Sequence, residues 1–257
     1  MSSFLYRLYA RKLEQEVTAG VLPRHVAVIL DGNRRFAQER GLASAEAGHR
    51  MGAEKIFEFL DWCQDLGIEW VTLWLLSTDN LNRDPKELSA LVSIIDEAVN
   101  GICDQAPERW PDLSIDSIGA EMDLPDPLRS TLQRVAAMPK HESGMHLQVA
   151  VGYGGREEIT EAFRRLLRER AEQGDSIDDV IADLTPEMIG KHVWTATSPD
   201  PDLIIRTSGE IRLSGFLLWQ SVHSEFYFCD PYWPEFRRID FLRALREFGQ
   251  RNRRFGR

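Results

Sequence analysis

The chain has 257 residues, 43% of them hydrophobic, three cysteines and a formal net charge of −10 at pH 7. That is enough apolar content for a substantial core, and the chain reads as one domain over 1–257 with an amino-terminal helix (1–20) docked on it. The acidic balance excludes a general nucleic-acid binder, and Cys63, Cys103 and Cys229, far apart and without a CxxC pair, exclude a zinc knuckle or disulfide framework and fit a cytoplasmic setting.

The first segment, SSFLYRLYARKLEQE, spaces Phe4, Leu5, Leu8, Tyr9 and Leu13 as an amphipathic helix, docked on the core or lying on a membrane surface. The longest uninterrupted apolar run, Val26 to Leu30, is too short to span a membrane and reads as a strand buried on both faces. It stops at Asp31, and Gly32, Asn33, Arg34, Arg35 and the helix-forming FAQER follow. A helical pattern runs from about Glu46 to Cys63 and ends at Gly67; a strand from Trp70 to Leu76 then enters the polar cluster Ser77 to Asn80. Asp84, Pro85 and Glu87 read as N-cap, first helical residue and capping-box partner of a long helix carrying Leu88, Leu91, Val92, Ile95, Val99 and Ile102. A third strand near Leu113 to Ile118 and a helix from about Leu128 to Met138 come next. The fourth strand, Met145 to Val151, empties into GYGGRE and a charged helix stopped by Gly174. An acidic, proline-punctuated stretch holds one short helix around Glu187 to Trp194. Strand five, Leu203 to Ile205, feeds RTSGEIRLS; a short apolar helix over FLLWQSVHS, a sixth strand over Glu225 to Phe228 and a basic closing helix complete the reading.

Six strands alternating with helices predict an α/β fold, a mostly parallel six-stranded sheet flanked by helices on both faces. Ligands bind such sheets outside the carboxyl ends of the strands, where the unusual residues of this chain fall. Asp31 with Gly32, Asn33, Arg34 and Arg35 is either a solvated strand-to-helix turn or an acid beside an anion-binding turn, which makes sense if a divalent cation bridges Asp31 and a diphosphate. Arg206 and Arg212, with the Ser208 and Ser214 hydroxyls, form a second phosphate-sized site. Glu225 is either an ion-pair partner or a second carboxylate for that cation on the same sheet edge. Asn80, with Arg83 three residues on, belongs either to a cap cluster or to a loop that orients a reacting group. His49 is either an ordinary packed histidine or a phosphate donor.

Three motifs fall short. GYGGRE lacks the third glycine of a dinucleotide turn, no GxxxxGK[ST] exists, and DDVIAD is spaced one residue too long for an aspartate-rich metal motif and reads as a helix start.

HVAVILDGNRRFA, AGHRMG, STDNLNRDPKE, GYGGREEI and IIRTSGEIRLSGFLLWQSVHSEFYF, in that order, resemble the cis-prenyltransferase family of undecaprenyl diphosphate synthases over residues 24–255. The resemblance implies a Mg²⁺-dependent homodimer that condenses isopentenyl diphosphate with an allylic diphosphate, leaving a Z double bond. It implies that Asp31 binds the metal and helps expel diphosphate, and that Gly32, Asn33, Arg34, Arg35, Phe36 and His49 form the allylic diphosphate site. Ser77, Thr78, Asp79, Asn80 and Arg83 match the loop over the reacting carbons, with Asn80 linked to proton removal. Arg206, Arg212, Leu213 and Ser214 match the isopentenyl diphosphate site. Glu225 matches a metal-site glutamate given across the dimer interface, and Arg254 and Gly256 a C-terminal segment reaching the partner. Phe36 and Leu81 stand where tryptophans are usual, Ile211 where some members have histidine, and an arginine usual before the GH pair is missing. Leu75 matches a position that is small in long-chain members, so the expected product is short, (2Z,6E)-farnesyl diphosphate from geranyl diphosphate. The alternatives are a long-chain synthase, a non-catalytic isoprenoid-binding subunit of the same fold, or a nucleotide-dependent enzyme using GYGGRE.

Overall fold

The computed structural model describes residues 3–120 and 124–251. The apolar run forms β1 (His25–Ile29), buried at every position. It lies between β2 (Trp70–Ser77) and β5 (Leu203–Arg206), parallel to both. Beyond β2 lie β4 (His146–Tyr153) and β3 (Ser114–Ile118), and beyond β5 lies β6 (Glu225–Phe228). The order is β3-β4-β2-β1-β5-β6 and every pairing is parallel. The chain steps outward from β1 on one side through β2 and returns on the other through β5. The strand order therefore reverses between β1 and β5, the position where a crevice opens outside the carboxyl ends.

The helices are α1 (Ser3–Thr18), α2 (Asn33–Glu39), α3 (Ala45–Asp65), α4 (Pro85–Arg109) and α5 (Asp126–Ala136). They continue as α6 (Gly155–Glu172), α7 (Ile177–Asp183), α8 (Pro186–Gly190) and α9 (Arg238–Gln250). Period-two alternation divides the strand side chains between two layers. Val26, Val28, Leu73, Val149 and Ile205 join α3, α4, α5 and α9 in the larger core, where Leu13 and Val17 also seat α1. Ala27, Ile29, Ala150 and Ile204 face Tyr153 and Phe216, with α6 and α8 packed around Ala162, Leu166 and Ile189.

Several elements differ from the sequence reading. FLLWQSVHS is not an α-helix: Gly215 (φ 91°) and Leu217 (φ 46°) adopt left-handed backbone, and only Gln220–His223 makes a 3₁₀ turn. Packing decides this, because Phe216 is buried and stacked on Trp74 at 4.9 Å and 9°. The short helix expected over Glu187 to Trp194 is α8, which ends at Gly190. DDVIAD is a helix start, with Ser176 and Asp179 capping each other. Asp84 caps α4 and Pro85 is its first residue, but Glu87 does not close a capping box there; its carboxylate is drawn to two arginines instead.

Two compensating slips mark the end of β2. Trp74 pairs with Ala150 and Leu76 with Val151, so Leu75 is extra; Ser77 then pairs with Tyr153, so Gly152 (φ 61°) is extra on β4.

Under the sheet, His25 is buried, with Nδ1 donating to the Pro199 carbonyl (2.7 Å) and Nε2 left facing the Thr72 hydroxyl (2.8 Å). Burial pushes its pKa down to about 4. An unfolded His25 takes its proton near pH 6.5 and the folded one near 4, so between these values the unfolded chain binds more protons and stability is lost as the pH is lowered. Denaturant unfolding should therefore show wild type losing about 3 kcal/mol through this residue across that window, with a visibly flatter pH slope in His25→Gln. An equal slope in both proteins would contradict the assignment.

Candidate active site

The chain ends of β1, β2 and β5 meet at one mouth. Asp31 follows β1 and turns immediately, its N–H bonded to Ile29 O at 2.9 Å and its carbonyl accepting from Trp233 N at 3.0 Å. Gly32 has φ 102°, and a Cβ there would come within 2.4 Å of Tyr232, so a side chain is excluded on two counts. Asn33 opens α2, its Nδ2 donating to Leu30 O and its Oδ1 buried without a partner. Gly48 and Gly52, one turn apart on α3, let that helix close on α2: a Cβ at Gly52 would lie 2.2 Å from Asn33 Oδ1, and one at Gly48 2.1 Å from Asn33 O.

Five guanidiniums surround the mouth, and three resident carboxylates hold them. Arg206, at the end of β5 and 4% exposed, donates through Nη2 to Asp31 Oδ2 at 2.8 Å and through Nη1 to Ser214 Oγ at 2.9 Å. Arg35 donates to Glu210 Oε1 (3.0 Å) and Ser208 Oγ (2.8 Å) and lies 3.4 Å from Asp31 Oδ2. Arg212 is paired with Glu210. Arg34 and Arg83 share Glu87 Oε1 at 3.1 and 2.9 Å. Five cations against three anions leave the mouth positive in a chain that is acidic overall, which favours an anion bearing more than one charge.

Burial raises the Asp31 carboxyl's affinity for a proton, but hydrogen bonds and charge from Arg206, with Ser208 and Arg35, outweigh it and hold its pKa below the ordinary value. Asp31 is therefore ionised at neutral pH. Burial drives His49 the other way, to about 4, assisted by the charge of Arg83. Its neutral imidazole lines the pocket with Nε2 buried and unpartnered.

Behind the mouth lies a cavity of about 490 Å³, walled by Ile56 of α3, Leu91, Ile94, Ile95 and Ala98 of α4, and Leu75. Trp74, Ser77, Asn80, Arg83, Arg206, Arg212 and Ser214 also line it, with Asp31 to Arg35 and His49. Ser77 and Asn80 cap each other, Ser77 Oγ accepting from Asn80 N (3.1 Å) and Asn80 Oδ1 from Ser77 N (3.3 Å), so a cap also fixes a pocket residue. Thr78 and Asp79 complete that 3₁₀ turn. Phe36 is 5% exposed and packs inward, and Leu213 packs against the smaller core.

Glu225 is the correction. It begins β6 opposite Leu203, at the amino edge of the sheet, and binds Arg251 Nη1 at 2.5 Å. Leu203 pairs with Val26, five residues before Asp31, or about 16 Å along a strand. The two acids of one chain do not share a sheet edge. Arg254 and Gly256 lie outside the described residues. GYGGRE forms no ligand cradle: a Cβ on Gly155 would meet Gly215 O at 2.5 Å and one on Gly154 would meet the Glu157 carboxylate at 2.1 Å, so these glycines make room for the protein's own backbone and side chains. Sequence reasoning gave no site role to Thr207, Glu210 or the Gly48/Gly52 pair, and read Glu87 only as a helix cap. Only the glycines carried a signal, two helix-weakening residues at i, i+4 on one helix face.

An all-parallel sheet with a cationic mouth at its switch point and an apolar cleft behind it is the layout of an enzyme handling anionic-headed hydrocarbons. The chain belongs to the prenyltransferase family of undecaprenyl diphosphate synthases, whose family model matches residues 29–256. It is 52% identical to the (2Z,6E)-farnesyl diphosphate synthase of Thermobifida fusca, over 98% of this chain and 97% of the relative. It is 48% identical to the short-chain Z-isoprenyl diphosphate synthase of Mycobacterium leprae, over 98% and 95%. The structure of lavandulyl diphosphate synthase from Lavandula x intermedia in complex with dimethylallyl diphosphate superposes with a TM-score of 0.84 at 34% identity, covering 94% of this chain and 100% of that one.

The α2–α3 approach is testable. Gly52→Ala should cost about 1–3 kcal/mol by overpacking and weaken binding of inorganic diphosphate, read by denaturation and calorimetry. Wild-type values in both would show that Asn33 tolerates a methyl group there.

Proposed function

We propose that this chain is a short-chain cis-prenyltransferase that joins isopentenyl diphosphate to a short allylic diphosphate such as geranyl diphosphate, giving (2Z,6E)-farnesyl diphosphate. The observation that carries the reading is the ionised Asp31 set among five guanidiniums at the mouth of an apolar cleft narrowed by Leu75. The names of the relatives from T. fusca and M. leprae support it.

In this reading Arg34, Arg35, Arg83 and His49 take the allylic diphosphate, Asn33 and Gly32 keep the backbone close to it, and the apolar tail enters between α3 and α4. Arg206, Arg212 and Ser214 take the diphosphate of the second substrate. The allylic carbon–oxygen bond breaks and inorganic diphosphate departs; the terminal alkene carbon (C4) of isopentenyl diphosphate bonds to the allylic carbon, positive charge develops at C3, and a proton leaves C2 for the released diphosphate, forming the C2=C3 double bond. Asn80 orients the isopentenyl group for that proton loss.

Among the described residues no three His, Cys, Asp or Glu converge on a metal site. The donor set suits Mg²⁺ nonetheless, since that ion commonly takes one carboxylate plus substrate phosphates and water. Held by Asp31, it would neutralise charge on the leaving diphosphate. Glu225 serves such a site only from a partner subunit, and the half-exposed aromatic strand β6 at the sheet edge supports a homodimer. No helix among the described residues is long and apolar enough to cross a membrane. Exposed Leu8 and Tyr9 on α1 leave room for peripheral membrane contact of a cytoplasmic enzyme.

Labelled isopentenyl diphosphate, Mg²⁺ and a panel of allylic primers provide the test, with products sized by chromatography. Wild type should stop after one addition, Leu75→Ala should extend further, and Asp31→Ala should lose about 10²-fold or more in turnover while remaining folded at the assay temperature, with a lowered melting temperature because Arg206 loses its partner. Products of ten or more units from wild type would overturn the short-chain assignment, and full turnover in Asp31→Ala would overturn the site.

A further inference from the structure

Thr207 has no place in the reaction outlined above, yet its side chain is bonded to the residue on which that reaction depends. It is 0% exposed, one residue beyond the β5 arginine. Its hydroxyl accepts from the Asp31 N–H at 3.0 Å and donates to the Asp31 carbonyl at 2.8 Å, in preference to Ile29 O at 3.4 Å. A single oxygen thus grips both backbone polar groups of the acid. The other backbone bonds of Asp31 are the tight turn to Ile29 O and the bond from Trp233 N. Neither comes from β5, so among the described residues Thr207 alone registers the Asp31 backbone against the strand that delivers Arg206.

Its neighbours act on the same residue. Arg206 holds Asp31 Oδ2 at 2.8 Å, and Ser208, in left-handed backbone at φ 82°, receives Arg35, which itself lies 3.4 Å from that oxygen. Strain of this kind in a non-glycine residue persists only where surrounding structure enforces it. Here the Ser208 N–H is fixed to Pro231 O at 2.8 Å and the Gly209 N–H to Cys229 O at 2.9 Å. Three consecutive residues therefore address the carboxylate, the backbone and the second cation of Asp31.

We infer that Thr207 is a positioning residue, whose hydroxyl sets the direction of the Asp31 carboxylate for the cation and diphosphate it meets. The inference rests on the reading of Asp31 given under Proposed function. The test compares Thr207→Val, which keeps the shape and removes the hydroxyl, with Thr207→Ser, which keeps the hydroxyl. Thr72→Val serves as control, because it deletes a buried hydroxyl of the same sheet beside His25, away from the mouth. Thr207→Val should lower kcat about 10–100-fold with both KM values within about threefold, while Thr207→Ser recovers most of the loss. Thr72→Val should lower the melting temperature without lowering kcat. Mn²⁺ alone, followed by electron paramagnetic resonance of the free ion, should bind Thr207→Val about fivefold or more weakly than wild type.

Turnover in Thr207→Val within twofold of wild type, an equal loss in Thr207→Ser, or identical Mn²⁺ binding by wild type and Thr207→Val would overturn the inference. Full activity in Asp31→Ala would overturn the underlying reading, and the role of Thr207 with it.

Discussion

A carboxylate and a guanidinium taken out of water side by side are costly to bury, and the fold keeps such a pair at its switch point. Arg206 is almost wholly enclosed and its Nε has no partner among the described residues, so it depends on the acceptors presented to its outer nitrogens, of which Asp31 carries the charge. Among the described residues Asp31 is the one anion paired with both Arg206 and Arg35. Removing one member would strand the other in a poorly solvated place, a loss of several kcal/mol where pairs of this kind have been broken. The adjacency of β1 and β5 is thus specified twice, by the apolar register of Val26, Val28, Leu203 and Ile205 and by the charges just beyond it. Apolar burial gives most of the stability, while the ion pair fixes which strand ends must meet.

The same logic extends around the mouth. A cluster of arginines would splay apart by mutual repulsion, and Arg34 does depress the proton affinity of Arg83, after the larger effect of burial. Glu87 and Glu210 each gather two of them. These acids keep the forks close together in the free protein, so less side-chain freedom remains to be lost when a doubly charged ligand arrives. Left-handed backbone at Ser208 and Ser214 is part of the same arrangement, because both hydroxyls meet arginines of the site. Among the described residues, two of the three non-glycine residues in left-handed backbone thereby have a polar task at the site; the third, Leu217, is buried beside Phe216.

Period and punctuation made the sheet legible in the sequence. A five-residue apolar run cannot alternate, so β1 had to be covered on both faces, and the acid and arginines after it had to fall at a carboxyl edge. Asp31, Arg35, Arg206 and Arg212 were readable because each interrupts an otherwise apolar or small-residue context. Glu225 was misplaced because its acid chemistry was weighed ahead of strand polarity: a residue that opens a parallel strand lies at the edge opposite the one where Asp31 follows β1, as the pairing with Leu203 shows. FLLWQSVHS failed for a different reason. Its apolar content suits a helix, but tertiary burial of Phe216 against Trp74 overrides that preference. Glu87 reads as a capping residue until an arginine from another helix is known to lie opposite it, and no local pattern contains that information.

The end of β2 shows how a cleft can be sized without disturbing the core that carries it. Strict alternation would send Leu76 to the face opposite Leu75. The slip at Leu75 instead turns both leucines toward the larger core, where Leu76 is fully buried and fills the layer beside α3 and α4. Leu75 is then surplus to packing and stands half-buried at the cavity wall. The opposing slip at Gly152, which uses backbone that a glycine adopts without strain, restores the register so that Ser77 still meets Tyr153 and the Ser77–Asn80 turn begins at the correct height. Because Leu76 already supplies the buried volume, position 75 can change size at small cost to folding. Under the proposed function, the volume open to a hydrocarbon behind the arginines can therefore vary independently of the charged mouth that would hold its head.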